Sequence, residues 1–244
     1  MSDIKDTRLY KWFDNFWYHY KWIVLIVALF ATIIIVSTVQ IFTREVGDIY
    51  VLYAGPDTVS LQNSLYIEKA FENIDEKDHN NDGEINAIVR TLTIMSPEDI
   101  SSSNDAHEEE VGAANEGYII NEQMLGAQMS GTMQTFDQEI FGGDSVICLL
   151  SPYTYKIVRD ADGFLPLAEV LGYTPKGAYD ECAVYLKDTD FGSLEGLSSL
   201  DDDTLFCVRR ISSMSFMKGH KKTEAIYNYQ LDKFKSALSY TKVQ

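Results

Sequence analysis

The feature that most limits how this chain can fold is a long uncharged stretch near its start. Residues Ile23–Val39 read IVLIVALFATIIIVSTV, and no charged residue occurs from Trp22 to Thr43. At a rise of about 1.5 Å per residue, about twenty helical residues cross the roughly 30 Å of hydrocarbon in a bilayer. A cleaved signal peptide usually has a shorter apolar part, followed by small residues at a cleavage site. Because this run is longer and no such site follows it, we predict an uncleaved signal anchor, with one transmembrane helix over residues 22–42.

The positive charges on either side of this stretch predict its orientation. Four cations precede it, namely Lys5, Arg8, Lys11 and Lys21. After it, Arg44 is the only cation before Lys69. Cytoplasmic flanks of membrane helices carry the excess of Lys and Arg. We therefore predict a single-pass protein of the cell membrane, with residues 1–21 as a cytoplasmic tail and residues 43–244 as an extracellular domain.

The net charge of −17 belongs to the predicted outer domain. The whole chain has 37 acidic and 20 basic residues, of which the tail holds three and four, so 34 and 16 remain and the rest of the chain carries −18. Such a domain repels anionic headgroups and nucleic acid and attracts cations. This charge excludes a nucleic-acid partner and favours metal or cationic partners. The alternative is a solvated acidic surface without a specific ligand.

The cysteines and the glycosylation pattern limit the class of protein. Cys148, Cys182 and Cys207 each lie inside an apolar segment, where a cysteine acts as a small buried apolar residue. Three cysteines form at most one disulfide, which excludes a disulfide scaffold. The chain also lacks an Asn-x-Ser/Thr sequon, which argues against a secreted eukaryotic domain.

The first part of the outer domain reads as strand, helix, strand. Asp48–Ala54 has the composition of a β-strand and ends at Gly55-Pro56, a turn signal. Apolar residues then recur at helical spacing from Leu61 to Ile74, and Glu84–Met95 alternates like a strand. This order favours a parallel pair of strands joined by a right-handed crossover.

The same alternation continues along the chain. Further helices are predicted between Ile120 and Ile140, Pro152 and Val158, Gly163 and Gly172, and Lys221 and Ser239. Further strands are predicted at Ser145–Leu150, Ala183–Leu186 and Thr204–Val208. Strands interleaved with helices predict the α/β class and argue against a β-sandwich or a helical bundle.

One loop has the spacing of a calcium site. The predicted ligands are Asp78, Asn80 and Asp82 at positions 1, 3 and 5, the carbonyl of Glu84 at position 7 and Asn86 at position 9. Gly83 at position 6 permits the sharp turn, but Val89 stands at position 12, where a bidentate carboxylate is expected. We predict weak, structural Ca²⁺ binding. The alternative is an empty polar turn, in which Asn, Asp and Gly are the common residues.

Enzyme motifs are incomplete in this sequence. Asp190-Phe191-Gly192 matches a kinase triplet, but no glycine-rich loop, paired lysine or His-Arg-Asp loop accompanies it. The run Asp201–Asp203 is interpreted as a solvated turn. We therefore predict no catalytic and no cofactor-binding residue, while an enzyme with an unconventional carboxylate site stays open.

The segment Phe136–Leu171 resembles a recurrent stretch of bacterial extracellular solute-binding proteins of ABC importers. It reads FDQEIFGGDSVICLLSPYTYKIVRDADGFLPLAEVL: a helix ending near glycine, a buried strand, a short helix and a Gly-x-Leu-Pro-Leu segment. The opening DIYVLYAGP and the helix after it are similar to the first β-α-β unit of that family. The chain also looks like small membrane-anchored proteins of unknown function from Clostridia-like Gram-positive bacteria. The resemblance implies one transmembrane helix followed by a single periplasmic-binding-protein-like α/β lobe, whereas family members commonly have two lobes that close over a ligand.

These observations lead to one functional hypothesis and two alternatives. The hypothesis is a membrane-anchored extracytoplasmic binding or interaction module, which recognises a membrane protein, an envelope component or a small solute. The first alternative is an accessory subunit of a membrane transport complex. The second is a surface enzyme with a carboxylate or metal site.

Overall fold

The computed structural model describes residues 8–42, 47–74, 78–79, 83–99, 122–211 and 220–241. The chain forms two units, residues 1–46 and residues 47–244. The described residues of the first unit form one helix, and the second unit is a domain of mixed α/β content.

The uncharged stretch lies within a single helix, α1 (Arg8–Phe42). Its segment Asn15–Val39 is long and apolar enough to cross a membrane, the one such helix in the described part of the chain. A membrane anchor and a signal sequence share this property. The hydroxyls of Thr32 and Thr38 donate to the carbonyls of Ala28 and Ile34, at 2.9 and 2.7 Å, so both are satisfied within the helix.

The α/β domain is built on a five-stranded sheet. Its strands are β1 (Ile49–Gly55), β2 (Ala87–Thr93), β3 (Ile147–Leu150), β4 (Ala183–Tyr185) and β5 (Leu205–Val208). In space they follow the order β2-β1-β3-β5-β4. Strands β1, β2 and β3 are parallel, and β5 is antiparallel to both of its neighbours. The predicted parallel pair, β1 and β2, is confirmed.

The longer helices in the described part of this domain pack on the sheet or connect its strands. They are α2 (Leu61–Glu72), α3 (Glu122–Gly142), α4 (Pro152–Asp160), α5 (Leu167–Leu171) and α6 (His220–Leu238). Three short 3₁₀ turns, Leu186–Asp188, Phe191–Ser193 and Leu197–Ser199, connect β4 to β5.

Helices cover both faces of the sheet. On one face Val51 and Tyr53 of β1 pack in a cluster with Phe71 of α2 and Phe234 of α6. On the other face Leu52 packs in a second cluster with residues of α3 and α4. Because a strand points alternate side chains to opposite faces, the continuous apolar sequence of β1 is what a doubly covered strand requires.

The two strands that follow β1 in the chain, β2 and β3, lie on opposite sides of it. The chain leaves β1 through α2 to reach β2 on one side, and then returns through a connection that includes α3 to reach β3 on the other side. In open α/β sheets the crevice at the carboxyl ends of two such strands is the usual place for a ligand. The sheet therefore has a topological switch point where β1 and β3 end, next to Gly55 and Leu150.

Strand β2 is shorter than the predicted run of Glu84–Met95. Its partner sets the limits, because Ile49 pairs with Ala87 and Gly55 pairs with Thr93. Just outside this register, the Ile94 amide still donates to the Gly55 carbonyl at 2.7 Å, and the Asn86 carbonyl accepts from the Ile49 amide at 3.2 Å.

A buried arginine holds the end of α3. Arg209 follows β5, is 2% exposed, and donates to the carbonyls of Ile140 at 2.7 Å, Gly143 at 2.9 Å and Ser145 at 2.8 Å. The last carbonyls of a helix have no partner within it and carry partial negative charge. The guanidinium therefore satisfies the end of α3 and ties it to the sheet.

Both outer strands have hydrogen-bond partners beyond the sheet. The carboxylates of Glu68 and Glu72 on α2 accept from the β2 amides of Val89 and Ala87, at 3.2 and 3.1 Å. At the opposite edge the carbonyl of Ala183 in β4 accepts from the Tyr179 amide at 2.9 Å.

Candidate functional site

The predicted calcium loop lies at the amino edge of the sheet, just before β2. Asp78, Glu84 and Asn86 are described, whereas the other two predicted ligands, Asn80 and Asp82, lie outside the described residues. The amide of Gly83 donates to the Asp78 carboxylate at 2.8 Å, and Gly83 has a φ of +95°. Glycine suits this left-handed conformation, as the calcium-loop pattern requires and as a polar turn also requires.

Asn86 is held by the start of β1. Its amide donates to the Asp48 carboxylate at 3.2 Å, and its carbonyl accepts from the Asp48 amide at 2.8 Å. No group of three or more His, Cys, Asp or Glu side chains in the described ranges could hold a metal ion. Calcium binding at Asp78, Asn80, Asp82, Glu84 and Asn86 stays a prediction.

A second group of polar residues lies at the carboxyl edge of the sheet, beside the switch point. Tyr53 is the third-last residue of β1 and is 1% exposed. A Cβ atom built on Gly55 would lie 2.7 Å from the Tyr53 hydroxyl oxygen. The tyrosine ring thus runs along its own strand over Gly55, and its hydroxyl reaches the turn that follows β1.

The Tyr53 hydroxyl is buried without a hydrogen-bond partner among the described residues. A buried polar group in this state costs about 1–3 kcal/mol, and such groups are rare in folded proteins. Burial raises the pKa of Tyr53 above the ordinary value for a phenol, and the negative charges of Asp57 and Asp201 raise it further. The nearby Asp57 amide lowers the pKa of Tyr53, although this amide is not placed to form a hydrogen bond with the hydroxyl. The phenol is therefore neutral at physiological pH.

Carboxylates from two separate loops act on this hydroxyl through their charge. Asp57 lies in the turn after β1, and Asp201 and Asp203 lie in the turn before β5, which the Thr204 amide closes on the Asp201 carbonyl at 2.9 Å. The carboxyl groups of Asp201 and Asp57 interact, and this interaction favours the protonated form of Asp201. Partial burial, and then the charges of Asp57 and Asp203, raise the pKa of Asp201. We call Tyr53, Asp57, Asp201 and Asp203 the acidic edge.

Another buried tyrosine shows how the same chain satisfies a phenol. The Tyr155 hydroxyl donates to the Asp180 carboxylate at 2.7 Å. That carboxylate also accepts from the amides of Cys182 and Ala183, at 2.7 and 3.0 Å, and lies 3.4 Å from Arg159 Nε. Because every member of this network has a partner, it is a structural device that fixes the start of β4.

The cysteines behave as the sequence predicts. Cys148, Cys182 and Cys207 are buried and free. Burial raises the pKa of the Cys182 thiol to about 11, while Arg159 acts in the opposite direction. Since the thiolate is the reactive form, the Cys182 thiol is a poor nucleophile at neutral pH.

The sequence did not identify the acidic edge. The run Asp201–Asp203 is an exposed turn, as interpreted, but the fold also brings Asp201 to Asp57. The available signal was the Gly55-Pro56-Asp57 turn directly after a buried strand, where ligand-binding loops of α/β proteins occur.

The acidic edge offers a neutral phenol and several carboxylates to a ligand at the switch point. Such a group attracts a cation and provides hydrogen-bond acceptors at its surface. Comparison of this chain with models of protein families, with curated proteins and with solved structures finds no match.

Proposed function

We propose that this protein is a single-pass membrane protein whose outer α/β domain acts as a binding or interaction module. The observation that carries the proposal is one helix of membrane-crossing length, Asn15–Val39, joined in sequence to an α/β domain with an unsatisfied polar group at its switch point. The helix supplies attachment, and the carboxyl edge of the sheet supplies a place for a ligand.

The charges around the helix support an extracytoplasmic domain. The cations Lys5, Lys11 and Lys21 favour a cytoplasmic amino terminus, and the strongly acidic remainder favours the outer side. In this arrangement the domain stands free of anionic headgroups, which its charge repels.

The sheet supports a lobe of the solute-binding type. It has the parallel β1-α2-β2 unit and the fully buried strand β3 that the resemblance implies. Weak structural calcium at the loop beginning with Asp78 belongs to the same proposal, because its place before β2 would steady the amino edge away from the ligand.

Labelling of intact cells tests the orientation. Two variants each add one reactive thiol, Lys176→Cys on the exposed surface of the α/β domain and Ser2→Cys in the tail. The native thiols are buried and supply a silent background. A membrane-impermeant maleimide should label Lys176→Cys in intact cells and Ser2→Cys only after the membrane is permeabilised.

The opposite labelling pattern contradicts the orientation. Release of a soluble domain that lacks residues 1–42, found by mass spectrometry of the medium, contradicts the uncleaved anchor.

A further inference from the structure

The Tyr53 hydroxyl points to a missing partner at the acidic edge. The hydroxyl is buried, has no partner among the described residues, and lies over Gly55 at the turn that leads to Asp57. The other phenol discussed above, Tyr155, is satisfied by Asp180 at 2.7 Å. This fold therefore provides partners for a buried phenol elsewhere, and the difference at Tyr53 calls for a ligand.

We propose that the acidic edge binds the ammonium group of an organic amine. This proposal rests on the binding role proposed above and names the chemistry of the ligand. An ammonium group has three N–H donors and no acceptor. These donors suit the Tyr53 hydroxyl oxygen and the carboxylates of Asp57 and Asp201, and the positive charge offsets the repulsion between the two carboxylates.

The side chains favour an ammonium over a metal ion. Calcium takes six to eight oxygen ligands, drawn from carboxylates, carbonyls, amides and water. No three metal-binding side chains within the described part of the chain converge at metal distance, and this includes the acidic edge. An ammonium needs only acceptors at about 2.7–3.2 Å, with wider spacing between them.

The surrounding charges favour a cation of this kind. Asp99, which follows β2, adds negative charge near Asp201 and raises the pKa of the Asp201 carboxyl. On the outer side of the same turn, Lys187 Nζ lies 3.8 Å from the Asp202 carboxylate. The turn thus already meets one ammonium group at its exposed end.

Gly55 leaves room for the Tyr53 hydroxyl at the turn after β1. A Cβ atom at this position would come within 2.7 Å of the Tyr53 hydroxyl oxygen and within 3.0 Å of its ring carbon Cζ. A side chain there would displace the phenol from the turn, so the glycine lets the hydroxyl reach the carboxylates.

Thermal unfolding of the purified full chain in nanodiscs tests the proposal with four probes. They are n-butylamine, an acetylated tripeptide amide with a central lysine, tetramethylammonium and Ca²⁺. Tetramethylammonium has the charge of an ammonium without its N–H donors. The first two probes should raise Tm at about 10 mM, where a site with a Kd of about 1 mM is mostly occupied. A larger shift with the peptide indicates a lysine of a protein as the source, and a larger shift with butylamine indicates a small amine.

Three variants locate the binding. Tyr53→Phe and Asp201→Asn should each weaken amine binding about tenfold, because the first removes an acceptor and the second replaces a charged acceptor by a neutral one. Asp202→Asn removes an equal charge from the exposed end of the same turn and should change affinity less than twofold. Tyr53→Phe should fold with a Tm at or above that of the wild type when no amine is present, because it removes only the unsatisfied hydroxyl.

Four results overturn the proposal. They are no shift with either amine, an equal shift with tetramethylammonium or Ca²⁺, unchanged amine binding in Tyr53→Phe, and an equal loss in Asp202→Asn. These measurements use purified protein, so their failure is distinct from a failure of the orientation, which cell labelling reports.

Discussion

The side-chain oxygen of Gln230 accepts a hydrogen bond from the amide of Tyr50 at 3.2 Å. The same oxygen lies 3.4 Å from the Val146 amide, and the Gln230 amide group donates to the Asp144 carbonyl at 3.2 Å. Gln230 lies on α6 and is completely buried. One side chain therefore joins the last helix to the starts of both β1 and β3.

Replacement of Gln230 by Leu should lower the free energy of unfolding by about 2–4 kcal/mol. The change removes the contacts of Gln230 with two backbone amides and one carbonyl, and each lost contact to a buried group costs about 1–3 kcal/mol in effects that are not additive. Urea unfolding measures the change. Asn228→Leu, at an exposed position of the same helix, is the matched control and should shift stability by less than about 0.5 kcal/mol. Equal effects of the two variants would contradict the role of Gln230.

Replacement of Gly55 by Ala should lower the free energy of unfolding by about 1–3 kcal/mol, because the new methyl group collides with the Tyr53 hydroxyl. The double variant Gly55→Ala with Tyr53→Phe should recover part of this loss, since the closest atom is then absent. A double-mutant cycle by thermal or urea unfolding gives the coupling between the two sites. Additive effects would show that the ring does not lie over Gly55.

Asp201→Asn should raise Tm at neutral pH in the absence of amine. Burial and the charge of Asp57 raise the pKa of Asp201 above its ordinary value of 3.8. A raised pKa means that the folded chain favours the protonated carboxyl, so this contribution to stability is present below the ordinary pKa and is lost as pH rises through the raised pKa. The gain from Asn should be small near pH 3 and should grow towards pH 7. A pH series of thermal scans measures it, and a gain that falls over this range would reverse the sign of the assigned shift.

Calcium at about 1–5 mM should raise the Tm of the wild type if the loop before β2 binds it in the range of extracellular modules. Asp78→Ala should remove the calcium response and, without calcium, should cost about 1 kcal/mol because the Gly83 amide loses its acceptor. Asp202→Ala removes an exposed carboxylate elsewhere and should keep the response. A wild type with the same Tm with and without calcium would leave the empty polar turn as the correct interpretation.

Local patterns were enough to predict most elements of the fold. The run Ser145–Leu150 predicted a doubly covered strand, and β3 is buried at every position. The periodicity from Lys221 to Ser239 predicted α6, whose Tyr227 and Phe234 lie in the core. These predictions succeeded because the number of buried faces of a helix or strand determines the pattern of apolar residues within that one segment.

The order of the strands could not be predicted in this way. Strand β5 lies between β3 and β4 and runs antiparallel to both, yet all four residues of Leu205–Val208 are buried. The sequence of a fully buried strand does not indicate whether the strand is parallel or antiparallel, or which strand lies beside it. The acidic edge depends on this order, because the turn before β5 places Asp201 at the same edge of the sheet as Asp57, which follows β1.

The hydrogen bonds that Glu68 and Glu72 accept from β2 would reduce strand pairing between copies of the chain held close together. Attachment by one helix would confine many identical domains to a thin layer, where collisions between neighbours are frequent. An unpaired strand edge is a template for adding a strand from another copy. With two amides of β2 already bound and negative charge placed along the strand, neighbouring domains would find little to pair with and would stay separate at high surface density.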